Sequence, residues 1–251
     1  MERARRDDPR VNRYLAAARR AGLNPDGEEE SLPYERLVFF SDAVFAISIT
    51  LLALDLKVPD IPGNLAAAEL PGRLLDLAPS FFSYVLSFLV IGQYWMAHHG
   101  LFRYIRRWDR RLLTLNLLLL LSITFLPFPT AVVGRYGNTR PAVLLYAVSV
   151  ATTGLLLTLV WLYAAWGGRL VVPGLDAAFV RFHAIRLLAA PAIFLLSIGV
   201  AFVNLSLAEW CWVLIVVPTI ALNRLPLGRA AAPAPTIRAS RPAARAAVRR
   251  R

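Results

Sequence analysis

Six stretches of mostly apolar residues run through this chain, at 34–56, 76–99, 111–133, 141–165, 183–204 and 207–224. At a rise of about 1.5 Å per residue, a helix of about 20 residues crosses the roughly 30 Å hydrocarbon core of a bilayer. With 57% hydrophobic residues in 251, the chain is too apolar for a soluble domain of its length. Hydrocarbon offers backbone groups no hydrogen bonds, so spanning segments must satisfy their own as helices. The sequence therefore predicts an all-α polytopic membrane protein with six transmembrane helices. Proline and glycine mark the joints: "VPDIPGN" after the first span, "PFPTAVVGRYGN" after the third, "GGRLVVPG" after the fourth. Pro127 and Pro129 are expected to end or bend the third span, and Pro191 to kink the fifth.

Charge orients this bundle. The second loop, "RYIRRWDRR", carries a net of +4, and the fourth, with Arg169, Arg181 and Arg186 against Asp176, a net of +2. The first loop holds Asp60, Glu69 and Asp76 against Arg73, and the fifth only Glu209. The third, with Arg135 and Arg140, is discordant. The positive-inside rule places the even loops and both termini in the cytoplasm, with the protein multi-pass in the cytoplasmic membrane. The formal charge of +12 lies largely beside apolar segments, which favours topology and anionic lipid over nucleic acid. Residues 33–225 form the transmembrane domain. Residues 1–32 read as a disordered tail, and 226–251, rich in Ala, Pro and Arg with no acid, as a second one that suits anionic lipid. The first thirty residues hold no apolar run, so no cleavable signal is expected and the first span does the targeting. A single cysteine, Cys211, excludes an internal disulfide.

The first span, "RLVFFSDAVFAISITLLALDLKV", carries polar residues that an anchor has no use for. Advancing about 100° per residue puts Leu51, Leu54 and Thr50 within about 60° of Ile47, and Ser41 and Asp42 at least 120° away. One face is thus branched aliphatic with a threonine beside it, and another presents a carboxylate to neighbouring helices. A carboxylate in a span is costly and calls for a partner. The second span ends on the same side with Trp95, His98 and His99, and the third begins there with Asn116. Arg36, Ser41, Asp42, His98, His99 and Asn116 are therefore expected to form one polar cluster. Its simplest role is to hold helices together; a proton-sensing or gating role is the alternative, since histidine titrates near neutral pH.

"RLVFFSDAVFAISIT", with Arg36, Phe40, Ser41 and Asp42, resembles the R-x-x-x-F-S-D signature of the transmembrane protein 175 potassium channel family in its short bacterial form. The likeness continues through "SFLVIGQYWMAHHGLF" and "LNLLLLLSITFLPFPTAVVGRYG", and covers about the first 135 residues. The resemblance implies a homotetramer whose first helices line a potassium-permeable pore. It implies a hydrophobic constriction at Ile47, further rings at Leu51 and Leu54, and a selectivity-related threonine at Thr50. The chain has no TVGYG-like filter stretch.

Other features read as structural. His98 and His99 diverge by about 100° on a helix, so no metal site is expected, and no cofactor beyond permeant potassium ions. Thr152, Thr153 and Thr158 suit hydrogen bonds within or between helices. Most tryptophans fall near span ends, as in an interfacial belt. No phosphate loop, nucleophile elbow or paired acid points to an enzyme. The competing function is a proton-coupled secondary transporter using Asp42 and a histidine. Transporters often carry inverted repeats, and none is evident between 34–133 and 141–224.

Overall fold

The computed structural model of the chain describes residues 25–213. Most of the sixth apolar segment, most of the N-terminal tail and all of the basic tail lie outside them. The described chain is all-helical apart from one isolated bridge. α1 runs Pro25–Leu51 and tightens into a 3₁₀ turn at Leu52–Asp55; α2 is Ala66–Asp76 and α3 Ala78–Phe102. α4 (Arg110–Phe125) and α5 (Pro127–Tyr136) together make the third span. α6 is Arg140–Ala165, α7 Ala177–Ala201 and α8 Leu205–Val213. Five segments among the described residues are long and apolar enough to cross a membrane. α8 is the start of the sixth apolar stretch.

The departures from expectation have local causes. α2 lies in the first loop; it is amphipathic, and none of its residues is buried. Pro127 does interrupt the third span, at Leu126, but the helix resumes at once because Pro suits a first helical position. α7 starts earlier than hydropathy indicates. Asp176 caps it, its side chain accepting from the Ala178 N–H at 3.1 Å, so Arg181 and Arg186 sit in its first turns and not in a loop. Trp161 and Trp212 are fully buried and form no part of a belt, whereas Trp166 and Trp210 are exposed.

α6 is the central helix, buried along most of its length, with α7 packed closely on it. Lipid is as apolar as leucine, so such packing relies on small residues and interhelical hydrogen bonds. Both occur here. Tyr94 Oη on α3 donates to Val150 O on α6 at 2.9 Å. Ser87 of α3 lies 2.9 Å from Tyr146 Oη of α6 and 2.8 Å from Thr130 Oγ1 of α5. Thr153 and Thr158 bond back to carbonyls of their own helix. Gly154 lets the buried Pro191 of α7 approach the α6 backbone. α7 runs unbroken through Pro191, whose ring is lodged in the space a side chain at 154 would fill.

The loops after α3 and after α6 are tied together on one face. Val172 N donates to Tyr104 O at 2.9 Å, and Arg106 N to Leu170 O at 2.8 Å. Asp109 caps α4 through the Leu112 N–H at 2.8 Å and accepts from Tyr163 Oη at 2.7 Å. Slight burial pushes its carboxyl up, but these two hydrogen bonds and the charge of Arg169 outweigh that and hold it below the ordinary aspartate value.

A Cβ at position 154 would fall 2.8 Å from Pro191 Cδ and 2.8 Å from Tyr94 Oη, with Pro191 Cγ nearer still. Gly154→Ala is expected to cost about 1–3 kcal/mol, read as a lower melting temperature in detergent. Adding Pro191→Ala removes the obstructing ring, so the double variant should lose less than the sum of the two single ones.

Candidate functional site

α1 has two distinct faces. Leu37, Ser41, Phe45, Ser48 and Leu52 are buried, at the spacing of one helical stripe. The opposite stripe faces out of the subunit: Ile47 is 57% exposed, Leu51 40% and Leu54 73%, with Thr50, Ala43 and Ala46 also exposed. Phe40 of the signature is exposed as well. The four residues grouped by helical spacing therefore share one outward face. Thr50 Oγ1 donates to Ile47 O at 2.8 Å, so its proton is committed to the helix and its oxygen lone pairs remain for other partners.

The structure divides the expected six-residue cluster. Its core is a buried chain of three side chains from three helices. Ser41 Oγ donates to Leu37 O at 2.9 Å. Its oxygen then accepts from Asn116 Nδ2 at 2.9 Å, which turns Asn116 Oδ1 toward His98 Nε2 at 3.0 Å. A carbonyl can only accept, so the Leu37 oxygen fixes the direction of every bond, and His98 carries its proton on Nε2. The imidazole is held between aromatic rings, its centroid 4.0 Å from Phe102 and 5.4 Å from Phe45. Among the described residues, His98 Nδ1 is buried without a hydrogen-bond partner.

Asp42 belongs to a second, separate contact. Successive residues on a helix point about 100° apart, so Asp42 turns away from Ser41 and accepts from Trp95 Nε1 at 2.9 Å. His99 is exposed, its ring 5.7 Å from that of Trp95. Asp42 and His99 line an open cleft of about 410 Å³ with Arg103 and Arg106. Arg36 is exposed, and among the described residues it makes no hydrogen bond or ion pair. Nor does any hydrogen bond there join Asp42 to His98 or His99, as the proton-relay reading requires. Sequence reasoning missed Trp95 as the partner of Asp42 and Phe45 as a wall of the histidine pocket. The i, i+4 repeat of Leu37, Ser41 and Phe45 was the available signal for the latter.

Replacing Asn116 breaks both inner bonds of the buried chain and leaves His98 Nε2 unpaired. Asn116→Leu is expected to lower stability by about 1–3 kcal/mol. Asp42→Asn keeps an acceptor for Trp95 and is expected to stay within about 0.5 kcal/mol of the parent. Thermal unfolding of the purified protein in detergent distinguishes the two, and equal losses would contradict the division of the cluster.

The family model for the endosomal/lysosomal potassium channel TMEM175 matches residues 36–127, from the signature arginine into the third span. A potassium channel of Streptomyces collinus is 39% identical over 178 residues, covering 68% of this chain and 84% of that protein. The human endosomal/lysosomal proton channel TMEM175 is 33% identical over 142 residues, which are 55% of this chain but only 28% of that protein. The crystal structure of a lysosomal potassium-selective channel TMEM175 homolog from Chamaesiphon minutus superposes with a TM-score of 0.66 at 30% identity. It covers 76% of this chain and 98% of that one. By sequence and by fold, the chain is a multi-pass membrane protein that belongs to the TMEM175 family.

Proposed function

We propose that this protein is a potassium-permeable channel of the cytoplasmic membrane, conducting through a homotetrameric pore lined by the outward stripe of α1. The observation that carries this reading is the pairing of the two faces of α1. One face is fastened inside the subunit by hydrogen bonds, and the other presents Ala43, Ala46, Ile47, Thr50, Leu51 and Leu54 to its exterior. Small residues on that face allow helices of different subunits to come close. The bacterial relatives named as potassium channels point to the same activity.

In such an assembly, Ile47 forms the narrowest ring. A narrow, dry ring breaks the water column, and ions must shed hydration to pass. Potassium, the larger ion, is cheaper to dehydrate than sodium. Thr50 adjoins this ring with its lone pairs uncommitted, and its oxygens replace part of the lost hydration. Leu51 and Leu54 continue the apolar wall. Selectivity then arises from dehydration cost and hydroxyl ligands, without a carbonyl filter. The Asp42–Trp95 and Ser41–Asn116–His98 contacts hold the wall in place. Because Asp42 is bonded to tryptophan and not to histidine, a passive pore is favoured over a proton-coupled carrier.

Purified protein in planar bilayers under opposed potassium and sodium gradients is expected to give unitary currents that reverse toward the potassium potential. Ile47→Asn should wet the ring and raise unitary conductance several-fold, and Thr50→Val should move the reversal potential toward zero. Flux that saturates and requires a proton gradient would instead identify a carrier. An Ile47→Asn protein with unchanged current would remove the constriction from that position.

A further inference from the structure

Outside the α1 region, one cavity differs from the rest in its charge. It is small, about 140 Å³, and opens between the end of α3 and the first turns of α7. Arg103, Arg186 and His183 line it together with Met96, Leu187 and Tyr104, and no acid is among its lining residues. His183 and Arg186 are three residues apart on α7 and so share a face. His183 uses Nδ1 to donate to Phe179 O at 3.1 Å, and among the described residues Nε2 makes no hydrogen bond. Arg186 is partly buried. Neither it nor Arg103 makes an ion pair or hydrogen bond among the described residues, where the one ion pair is Arg73–Glu69.

Arg103 is exposed and Arg186 half-buried, and with no carboxylate lining this small space their guanidinium groups offer an anion charge-assisted hydrogen bonds. The cavity lies beside the paired loops that carry Arg106, Arg107 and Arg169, on the face that the charge distribution assigns to the cytoplasm. It is also at the edge of the apolar belt. Ile185 of α7 is 67% exposed and Met96 of α3 51%, so an apolar surface begins where the charges end. A free anion would use only the first of these features. A molecule with a phosphate and an acyl chain uses both.

We propose that this cavity is a binding site for an anionic phospholipid. Its phosphate is held by Arg103 and Arg186, and its acyl chain lies along the exposed faces of α3 and α7. The site is distinct from the basic C-terminal tail.

The test is native mass spectrometry of the full chain in detergent, titrated with phosphatidylglycerol, phosphatidylcholine or inorganic phosphate. Bound phosphatidylglycerol is expected at concentrations at least about tenfold below those needed for phosphatidylcholine, a difference of about 1.4 kcal/mol. Arg103→Gln with Arg186→Gln should abolish that preference, while Arg110→Gln, a cation on the same face but outside the cavity, should retain it. Equal binding of the two lipids by the parent protein would overturn the proposal without recourse to any variant. So would a preference that survives in the folded double variant. Displacement of phosphatidylglycerol by millimolar inorganic phosphate would assign the cavity to a free anion and overturn it likewise.

Discussion

The hydrogen-bonded chain from Leu37 O through Ser41 and Asn116 to His98 sets the rotation of α1, and the rest of the account depends on it. A span in lipid has no hydrophobic reason to prefer one face over another, because hydrocarbon accepts all of them equally. What distinguishes the faces is polar. Ser41 and Asn116 are satisfied only when α1 presents Ser41 to α4, and His98 is paired only when α3 closes the chain. Turning α1 by one residue, about 100°, would bury Asp42 and leave Asn116 unpaired. With the rotation fixed, Ile47, Thr50, Leu51 and Leu54 have no choice but to face out of the subunit.

The same device recurs along the bundle. Ser87, Thr130 and Tyr146 join α3, α5 and α6. Trp212 Nε1 donates to Ser197 Oγ at 2.8 Å and fastens α8 to α7. Gly154 lets Pro191 lock the α6–α7 contact sterically. These few contacts specify where apolar surfaces meet, so each helix can otherwise be built from interchangeable aliphatics.

How much of this the sequence disclosed varied with the kind of information needed. Span positions follow from hydropathy alone, because the bilayer imposes one length on every crossing helix. The stripe on α1 was legible because helical period is fixed and Ile47, Thr50, Leu51 and Leu54 are local to one another. The polar cluster was legible only as a set of residues near one end of the bundle. Its partition required knowing which of Ser41 and Asp42 faces α4, and both point away from the Ile47 stripe. Trp95 was legible as an interfacial residue, not as a donor to Asp42, because tryptophan near a span end has an adequate explanation without a partner. The early start of α7 was hidden by Arg181 and Arg186, whose charge masks a helix from a hydropathy count but not from the Asp176 cap. The cavity holding Arg103 and Arg186 joins residues over eighty positions apart, and nothing local announces it.

The proposed pore gives the exposed stripe of α1 a physical task. The claim most open to direct test is that this face of α1 is a water-accessible conduction wall while the opposite face is sealed. A cysteine scan of α1 in a Cys211→Ser background tests it, with a membrane-impermeant cationic thiol reagent applied during current recording. The account predicts rapid block for Thr50→Cys, Leu51→Cys and Leu54→Cys, and none for Phe45→Cys, Ser48→Cys or Leu52→Cys. Block at the second set, or full current from a modified first set, would contradict it.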